Sequence, residues 1–281
     1  MWEKELKICK RAAVEAGLAI MEIYEKADDI EIEKKGDGSP LTNADKASHR
    51  IIAEYLTKNF PEYALLSEEG VDDKERLSNP MCFVVDPLDG TKEFIKRNGQ
   101  FTVNIALARE HRSIMGVIYV PVTGELYYAA EGLGSFLERI DIEKEKQQPE
   151  SRAGESYELP VIGEPEKLRV SDQTKVTELR AVGSSSHASP AMQELLDRHH
   201  ITKMVQMGSS LKGCLIAKGD ADIYFRHNPT MEWDTAAMQC IAEQAGAIFR
   251  QMDDSEMLYN REDSLNAKGF YVINRIENRL R

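Results

Sequence analysis

The feature that most limits how this chain can fold is a short apolar run that ends abruptly in acidic residues. The run CFVV (82–85) has the character of a fully buried strand, and DPLDGT (86–91) follows it directly. The proline and the glycine of this segment favour a tight turn. In such a turn Asp86 and Asp89 can converge on one point beside the carbonyl oxygen of Leu88, and these hard oxygen atoms suit Mg²⁺.

Two further acidic segments can join this turn. Glu68 and Glu69 come directly after a short strand candidate, and Asp234 begins a predicted helix. Together with Asp86 and Asp89, they would form a carboxylate cluster that repels itself strongly unless cations are bound. Two or three Mg²⁺ ions would resolve the repulsion, and two-metal sites hydrolyse phosphate esters by activating water and stabilising the leaving oxygen.

Each acidic segment also has an ordinary structural interpretation. Adjacent glutamates such as Glu68 and Glu69 usually lie in a solvated loop. The segment 86–91 can be an Asx-type turn that caps a helix at Lys92–Lys96, and Asp234 can be a simple N-cap. A cap and a metal ligand do not exclude each other, because a carboxylate has two oxygen atoms.

The charge balance narrows the classes of function. The 281 residues carry 36 Lys and Arg against 48 Asp and Glu, a net charge of −12, which argues against a protein that coats nucleic acid. Small anionic ligands stay compatible, because a bound divalent cation reverses the local field. No apolar run approaches the roughly 18 residues of a membrane-spanning helix, and the start has no secretory signal pattern. We expect a cytoplasmic protein; a homodimer and a peripheral attachment to the inner face of the cell membrane stay open.

The apolar patterning predicts an N-terminal α+β subdomain over residues 1–138, a charged surface loop over 139–160, and a C-terminal α/β subdomain over 161–281. Helices are expected at 3–26, 44–60, 190–199, 211–218 and 233–245. Strands are expected at 63–66, 81–85, 101–109, 113–120, 125–130, 179–183, 201–205 and 221–225.

The spacing EE…DPLDGT…WDTAA resembles the lithium-sensitive, Mg²⁺-dependent phosphatase family of inositol monophosphatase and 3'(2'),5'-bisphosphate nucleotidase. The run VDPLDGTKEFIKRNG (85–99), followed by FTVNIAL (101–107), is most similar to bacterial bisphosphate nucleotidases, and SPLTNAD (39–45), LLSEE (65–69) and GSSLK (208–212) agree. The resemblance covers about residues 5 to 275. It implies a layered αβαβα sugar-phosphatase-like fold of two sheet-containing subdomains, with helices between and outside them.

The resemblance also implies roles for individual residues. The metal ligands would be Glu68, Asp86, the Leu88 carbonyl, Asp89 and Asp234, and they would hold two or three Mg²⁺ ions. The catalytic residues would be Thr91, Asp45, Glu68 and Glu69, with Asp45 orienting the Thr91 hydroxyl that helps to activate the attacking water. The substrate-binding residues would be Glu68, Leu88, Asp89, Gly90, Thr91, Ser184, His187, Gly208, Lys212 and Asp234.

The implied reaction is hydrolysis of the 3'-phosphate of adenosine 3',5'-bisphosphate to AMP and phosphate, with the 5'-phosphosulfate analogue also accepted. Two alternatives stay open: a family enzyme that acts on an inositol phosphate or a sugar bisphosphate, and a non-catalytic protein that binds Mg²⁺ or a nucleotide. The chain departs from related patterns at Ala247, where a second glycine is usual, at Ser185, where animal and yeast nucleotidases have a basic residue, and in the length of 139–160. Arg226 and His227 could approach a ligand phosphate.

Overall fold

The computed structural model describes residues 2–26, 30–36, 40–72, 74–147, 158–184 and 190–281. The α-helices are α1 Glu3–Glu25, α2 Asn43–Asn59, α3 Thr91–Ile95, α4 Ile142–Lys146, α5 Pro190–Arg198, α6 Leu211–Lys218 and α7 Glu232–Gln244. Of these described helices, none is long and apolar enough to cross a bilayer.

The strands of the described residues form two large sheets and two small ones. In chain order they are β1 Ile32–Lys34, β2 Pro40–Thr42, β3 Ala64–Ser67, β4 Met81–Asp89, β5 Thr102–Arg109, β6 Arg112–Val120, β7 Glu125–Ala130, β8 Gly134–Arg139, β9 Glu166–Lys167, β10 Arg180–Ser184, β11 Lys203–Met207, β12 Ile223–Arg226, β13 Thr230–Met231, β14 Ile248–Gln251, β15 Leu265–Asn266 and β16 Phe270–Ile273. The first large sheet has the order β3-β4-β5-β6-β7-β8-β9, and the second has the order β11-β10-β12-β16-β14. Strands β1 and β2 pair with each other, as do β13 and β15.

The alternation of side chains along the strands buries both faces of each large sheet. On the first sheet, Phe83 and Val85 lie in a core shared with α1 and α2, whereas Cys82 and Val84 lie in a second core that also contains α6 and α7. That second core includes Val182 of the second sheet, whose opposite face packs Ala181 against α5. The layers are therefore helix, sheet, helix, sheet, helix, which confirms the predicted αβαβα architecture.

Most predicted elements are present with shifted ends, and the sequence analysis missed several. It did not predict β8, β14 or β16, and β14 and β16 complete the second sheet. The charged segment 139–160 is not wholly a surface loop: Ile140 pairs with Val161 across an isolated bridge, and α4 carries the buried Glu145. Residues 148–157 of that segment lie outside the described residues.

Candidate active site

The acidic segment 86–91 runs from the end of β4 to the start of α3. β4 does not stop at Val85 but continues to Asp89, with an irregularity in its pairing with β5 between Asp86 and Asp89. One carboxylate oxygen of Asp86 accepts the amide of Leu88 at 3.1 Å. Gly90 then has φ = 94°, a left-handed conformation that favours glycine, and α3 begins at Thr91. The turn therefore brings Asp86 and Asp89 to the same side of the strand end.

Asp234 joins these two carboxylates from the other half of the chain. Asp86, Asp89 and Asp234 each offer an oxygen atom within 4.8 Å of the others. Asp234 is not the simple N-cap considered above: Met231 is the N-cap of α7, and Asp234 stands three residues later, where its Oδ2 accepts the Met231 amide at 2.7 Å in a capping box. One oxygen of Asp234 therefore serves the start of the helix, and the second can bind a cation.

The electrostatics of this cluster favour a bound cation. Burial, and next the carboxylate of Glu68, raise the pKa of Asp86 well above its ordinary value. Burial and the carboxylate of Asp89 raise the pKa of Asp234 to about 8. Carboxylates resist ionisation in this way when they lose water and face other negative charges. A hard divalent cation removes both penalties, so this donor set fits Mg²⁺.

Glu68 and Glu69 meet a cation that the sequence analysis did not assign. The ammonium group of Lys35, just after β1, lies 2.6 Å from Glu68 Oε1 and 2.5 Å from Glu69 Oε1. Burial lowers the pKa of this lysine, but the two carboxylates outweigh it and raise the pKa above its ordinary value. Burial also raises the pKa of Glu68, against the opposing effect of Lys35. The positive charge of Lys35 thus offsets part of the negative charge of Glu68 and Glu69. No sequence motif around Lys35 predicts this role.

Asp45 and Thr91 are joined as the family resemblance implied. Asp45 Oδ2 accepts the Thr42 amide at 2.8 Å in a capping box that begins α2. The other oxygen, Oδ1, lies 3.2 Å from the Thr91 hydroxyl, which is also 3.3 Å from the Leu88 carbonyl oxygen. Asp45 is buried, and burial raises its pKa. The cap therefore holds one oxygen of Asp45 and leaves the second directed at Thr91.

A cavity of about 260 Å³ opens over the carboxylates. Its lining combines the carboxylates of Asp86, Asp89 and Asp234, which we call the acidic end, with the cationic side chains of Lys212 and Arg226, which we call the basic end. Burial lowers the pKa of Lys212 to about 8, because an ammonium group loses hydration there. The same cavity therefore holds acidic groups suited to metal ions and basic groups suited to an anion.

Most of the other predicted site residues also line this cavity. They are Glu68, Leu88, Gly90, Thr91 and Ser184. Gly208 is not among its lining residues: its amide donates to Gln100 Oε1 at 2.8 Å, and a Cβ there would lie 2.8 Å from the Gln100 carbonyl oxygen. His187 lies outside the described residues. Sequence reasoning missed Ser209, Glu93 and Tyr224, which the cavity lining includes, although Ser209 stands inside the recognised GSSLK motif.

Comparison with known proteins identifies the class. The profile of the inositol monophosphatase family matches residues 1–277, so the chain belongs to this family. Its relatives include the 3'(2'),5'-bisphosphate nucleotidase CysQ of Salmonella typhimurium, which is 38% identical over 95% of this chain and 98% of the relative. CysQ of Escherichia coli strain K12 is 37% identical with the same coverage. These matches confirm the resemblance to the family and to its bacterial bisphosphate nucleotidases.

Solved structures agree with the sequence relatives. The crystal structure of CysQ from Bacteroides thetaiotaomicron superposes with a TM-score of 0.75 and 38% identity, covering 95% of this chain and 96% of that one. The Thermotoga maritima inositol monophosphatase has a TM-score of 0.72 at 22% identity, covering 96% and 92%. The second similarity shows that the fold is shared.

Proposed function

We propose that this chain is a Mg²⁺-dependent 3'(2'),5'-bisphosphate nucleotidase that converts adenosine 3',5'-bisphosphate to AMP and phosphate. The observation that carries the proposal is that one cavity is lined both by a cluster of carboxylates and by two cationic side chains. The carboxylates of Asp86, Asp89 and Asp234 suit metal ions and the phosphate to be cleaved. Lys212 and Arg226 suit a second phosphate on the same molecule. A cytoplasmic role in removing this by-product of sulfate activation follows from the same proposal.

At the acidic end, the bound Mg²⁺ ions would supply water activation and charge stabilisation of the leaving oxygen. Glu68, Asp86, Asp89, Asp234 and the Leu88 carbonyl would hold two or three of them. The chain's own groups orient the attack. Thr91 lies within hydrogen-bond distance of Asp45, which can accept the hydroxyl proton of Thr91 and so turn the lone pairs of Thr91 towards a water molecule.

At the basic end, the side chain of Lys212 suits a bound phosphate group. Lys212 is buried, and its ammonium group donates to the Ser209 carbonyl at 2.5 Å and lies 5.7 Å from the ring centroid of Tyr224. A phosphate bound there would stabilise the charged form of Lys212, whose pKa burial lowers to about 8. A substrate without a second phosphate cannot make this charged contact, which favours a bisphosphate over inositol 1-phosphate.

The direct test is a panel of phosphate esters assayed with Mg²⁺. We expect kcat/KM for adenosine 3',5'-bisphosphate to exceed that for inositol 1-phosphate by at least about tenfold, the equivalent of one charge-assisted hydrogen bond. A sugar bisphosphate belongs in the same panel, because such an enzyme would share every metal ligand. Comparable or reversed values of kcat/KM would refute the nucleotidase assignment while leaving a phosphatase.

The substitution Lys212→Met tests the basic end. It keeps an apolar stem of similar length and removes the ammonium group. We expect kcat/KM for adenosine 3',5'-bisphosphate to fall roughly 10- to 100-fold, since a hydrogen bond to a charged group contributes about 1.5–3 kcal/mol. The matched control is Lys218→Met on the same helix. The ammonium group of Lys218 lies 3.0 Å from Asp220 Oδ2, and Lys218 does not line the cavity. An equal loss in both variants would contradict a role for Lys212 in binding.

Mg²⁺ should stabilise the fold, and it should do so less at low pH. With Mg²⁺ at about 100 times its Kd, one site adds about 2.7 kcal/mol to the free energy of unfolding, which raises Tm by several degrees. Because the pKa of Asp234 is raised to about 8, cation binding must displace a proton below that pH. We therefore expect Mg²⁺ affinity, measured by calorimetry, to weaken from pH 8 to pH 6. An affinity that does not change over this range would contradict the ligand role of Asp234.

A further inference from the structure

Ser210 lies where the two subdomains meet, between the cavity residue Ser209 and the start of α6, and it is buried. Its amide donates to Asp89 Oδ2 at 2.6 Å, and its hydroxyl lies 2.7 Å from the same oxygen. The hydroxyl is also 3.1 Å from the carbonyl oxygen of Asp234. The small side chain of Ser210 therefore contacts both Asp89 and the backbone of Asp234, which come from distant parts of the sequence.

Asn104 on β5 is hydrogen-bonded to both Asp89 and Ser210. Its amide group donates to Asp89 Oδ2 at 3.2 Å and to the Ser210 hydroxyl at 2.9 Å. The amide orientation is set by Thr102, whose hydroxyl donates to Asn104 Oδ1 at 2.9 Å. Asp89 Oδ2 thus accepts from three donor groups, and these hydrogen bonds fix the orientation of the carboxylate.

We propose that Ser210 is a positioning residue that locks the basic end of the cavity to the metal-binding Asp89, and so sets the spacing between the two phosphates that the enzyme accepts. The proposal rests on the nucleotidase function proposed above. Ser209 and Lys212 belong to the same turn as Ser210, and the Lys212 ammonium group is bonded back to the Ser209 carbonyl. When Ser210 holds Asp89, these groups stand at a fixed distance from the metal ligands.

Two consequences distinguish positioning from simple packing. Loss of the Ser210 hydroxyl removes one of the three donors to Asp89 Oδ2 and also the acceptor of the second Asn104 hydrogen bond. The carboxylate of Asp89 is then held less firmly, so Mg²⁺ binding should weaken even without substrate. It also loosens the spacing between the two ends of the cavity. A bisphosphate should therefore lose more than a substrate with a single phosphate, because only the bisphosphate must meet both ends at once.

The experiment compares Ser210→Ala with the wild type and with Ser113→Ala. Ser113 is a matched control, because its hydroxyl donates to the Ala236 carbonyl of α7 at 2.7 Å without touching the cluster. Mg²⁺ affinity is measured by calorimetry without substrate. Values of kcat/KM are measured with adenosine 3',5'-bisphosphate and with adenosine 3'-monophosphate at saturating Mg²⁺. Ser210→Cys keeps a weaker donor and should lie between Ser210→Ala and the wild type.

We expect Ser210→Ala to weaken Mg²⁺ binding roughly tenfold, and to lower the bisphosphate-to-monophosphate ratio of kcat/KM by a similar factor. Ser113→Ala should change neither value. Wild-type Mg²⁺ affinity together with a wild-type ratio in Ser210→Ala would overturn the proposal, and so would equal losses in the control. If the wild type itself does not prefer the bisphosphate, the proposed function fails, and the Mg²⁺ affinity alone decides whether Ser210 positions Asp89.

Discussion

Asp89→Asn is expected to lower kcat/KM for adenosine 3',5'-bisphosphate by at least about 10²-fold while the protein stays folded, because the change removes one negative charge from the metal site. The amide oxygen of asparagine can replace Oδ2 as the acceptor for the Ser210 and Asn104 donors, so the local hydrogen bonds persist. The amide nitrogen then takes the place of the metal-facing oxygen, where it cannot bind a cation. Steady-state kinetics with a titration of Mg²⁺ measures the loss.

The control for this prediction is Asp220→Asn, which makes the same chemical change at an exposed surface ion pair with Lys218. It should keep wild-type activity and the wild-type Mg²⁺-dependent rise in Tm. Asp89→Asn should lose much of that rise, since fewer charges attract the ion. Full activity in Asp89→Asn would refute the assignment of this carboxylate as a metal ligand.

Thr91→Val should cost roughly 10²- to 10⁴-fold in kcat, the range typical of a lost proton-transfer group. Valine has nearly the same shape as threonine but lacks the hydroxyl that lies 3.2 Å from Asp45 Oδ1. Asp45 itself is a less informative target, because its second oxygen caps α2 and its removal would also weaken that helix. Mg²⁺ affinity in Thr91→Val should change much less than kcat.

A matched control exists on α2. The hydroxyl of Thr57 donates to the Ala53 carbonyl at 2.7 Å on the exposed side of that helix. Thr57→Val should leave both kcat and Mg²⁺ affinity at wild-type values. A Thr91→Val enzyme that keeps more than about a tenth of wild-type kcat would show that the Thr91–Asp45 pair does not assist the attack.

The local parts of the site were predictable because local sequence encodes them. The proline and the glycine of residues 86–91 favour a tight turn, and Gly90 has the left-handed conformation that favours glycine. The capping box of α2 is equally local, because Thr42 and Asp45 are three residues apart. The sequence alone offered the grouping of the distant acidic segments only as one interpretation beside an ordinary structural one, since spacing along the chain does not measure distance in space; the family resemblance favoured the shared site.

The parts that could not be predicted depend on neighbours from elsewhere in the chain. Lys35 meets Glu68 and Glu69 across a gap of more than thirty residues, and no pattern around it indicates a half-buried ion pair. Strands β14 and β16 were missed because short strands acquire their stability from the sheet they complete rather than from their own residues.

The net charge of −12 and the acidic turn of residues 86–91 already indicated a chain that needs cations at one place. For Asp86 and Asp234, local donors take one oxygen, since the Leu88 and Met231 amides lie two and three residues away. For Asp89, tertiary structure alone decided which oxygen is taken, because the Ser210 hydroxyl comes from 121 residues further along the chain. The reason is physical: a carboxylate has two nearly equivalent oxygens, and only the donors packed around it in three dimensions make them different.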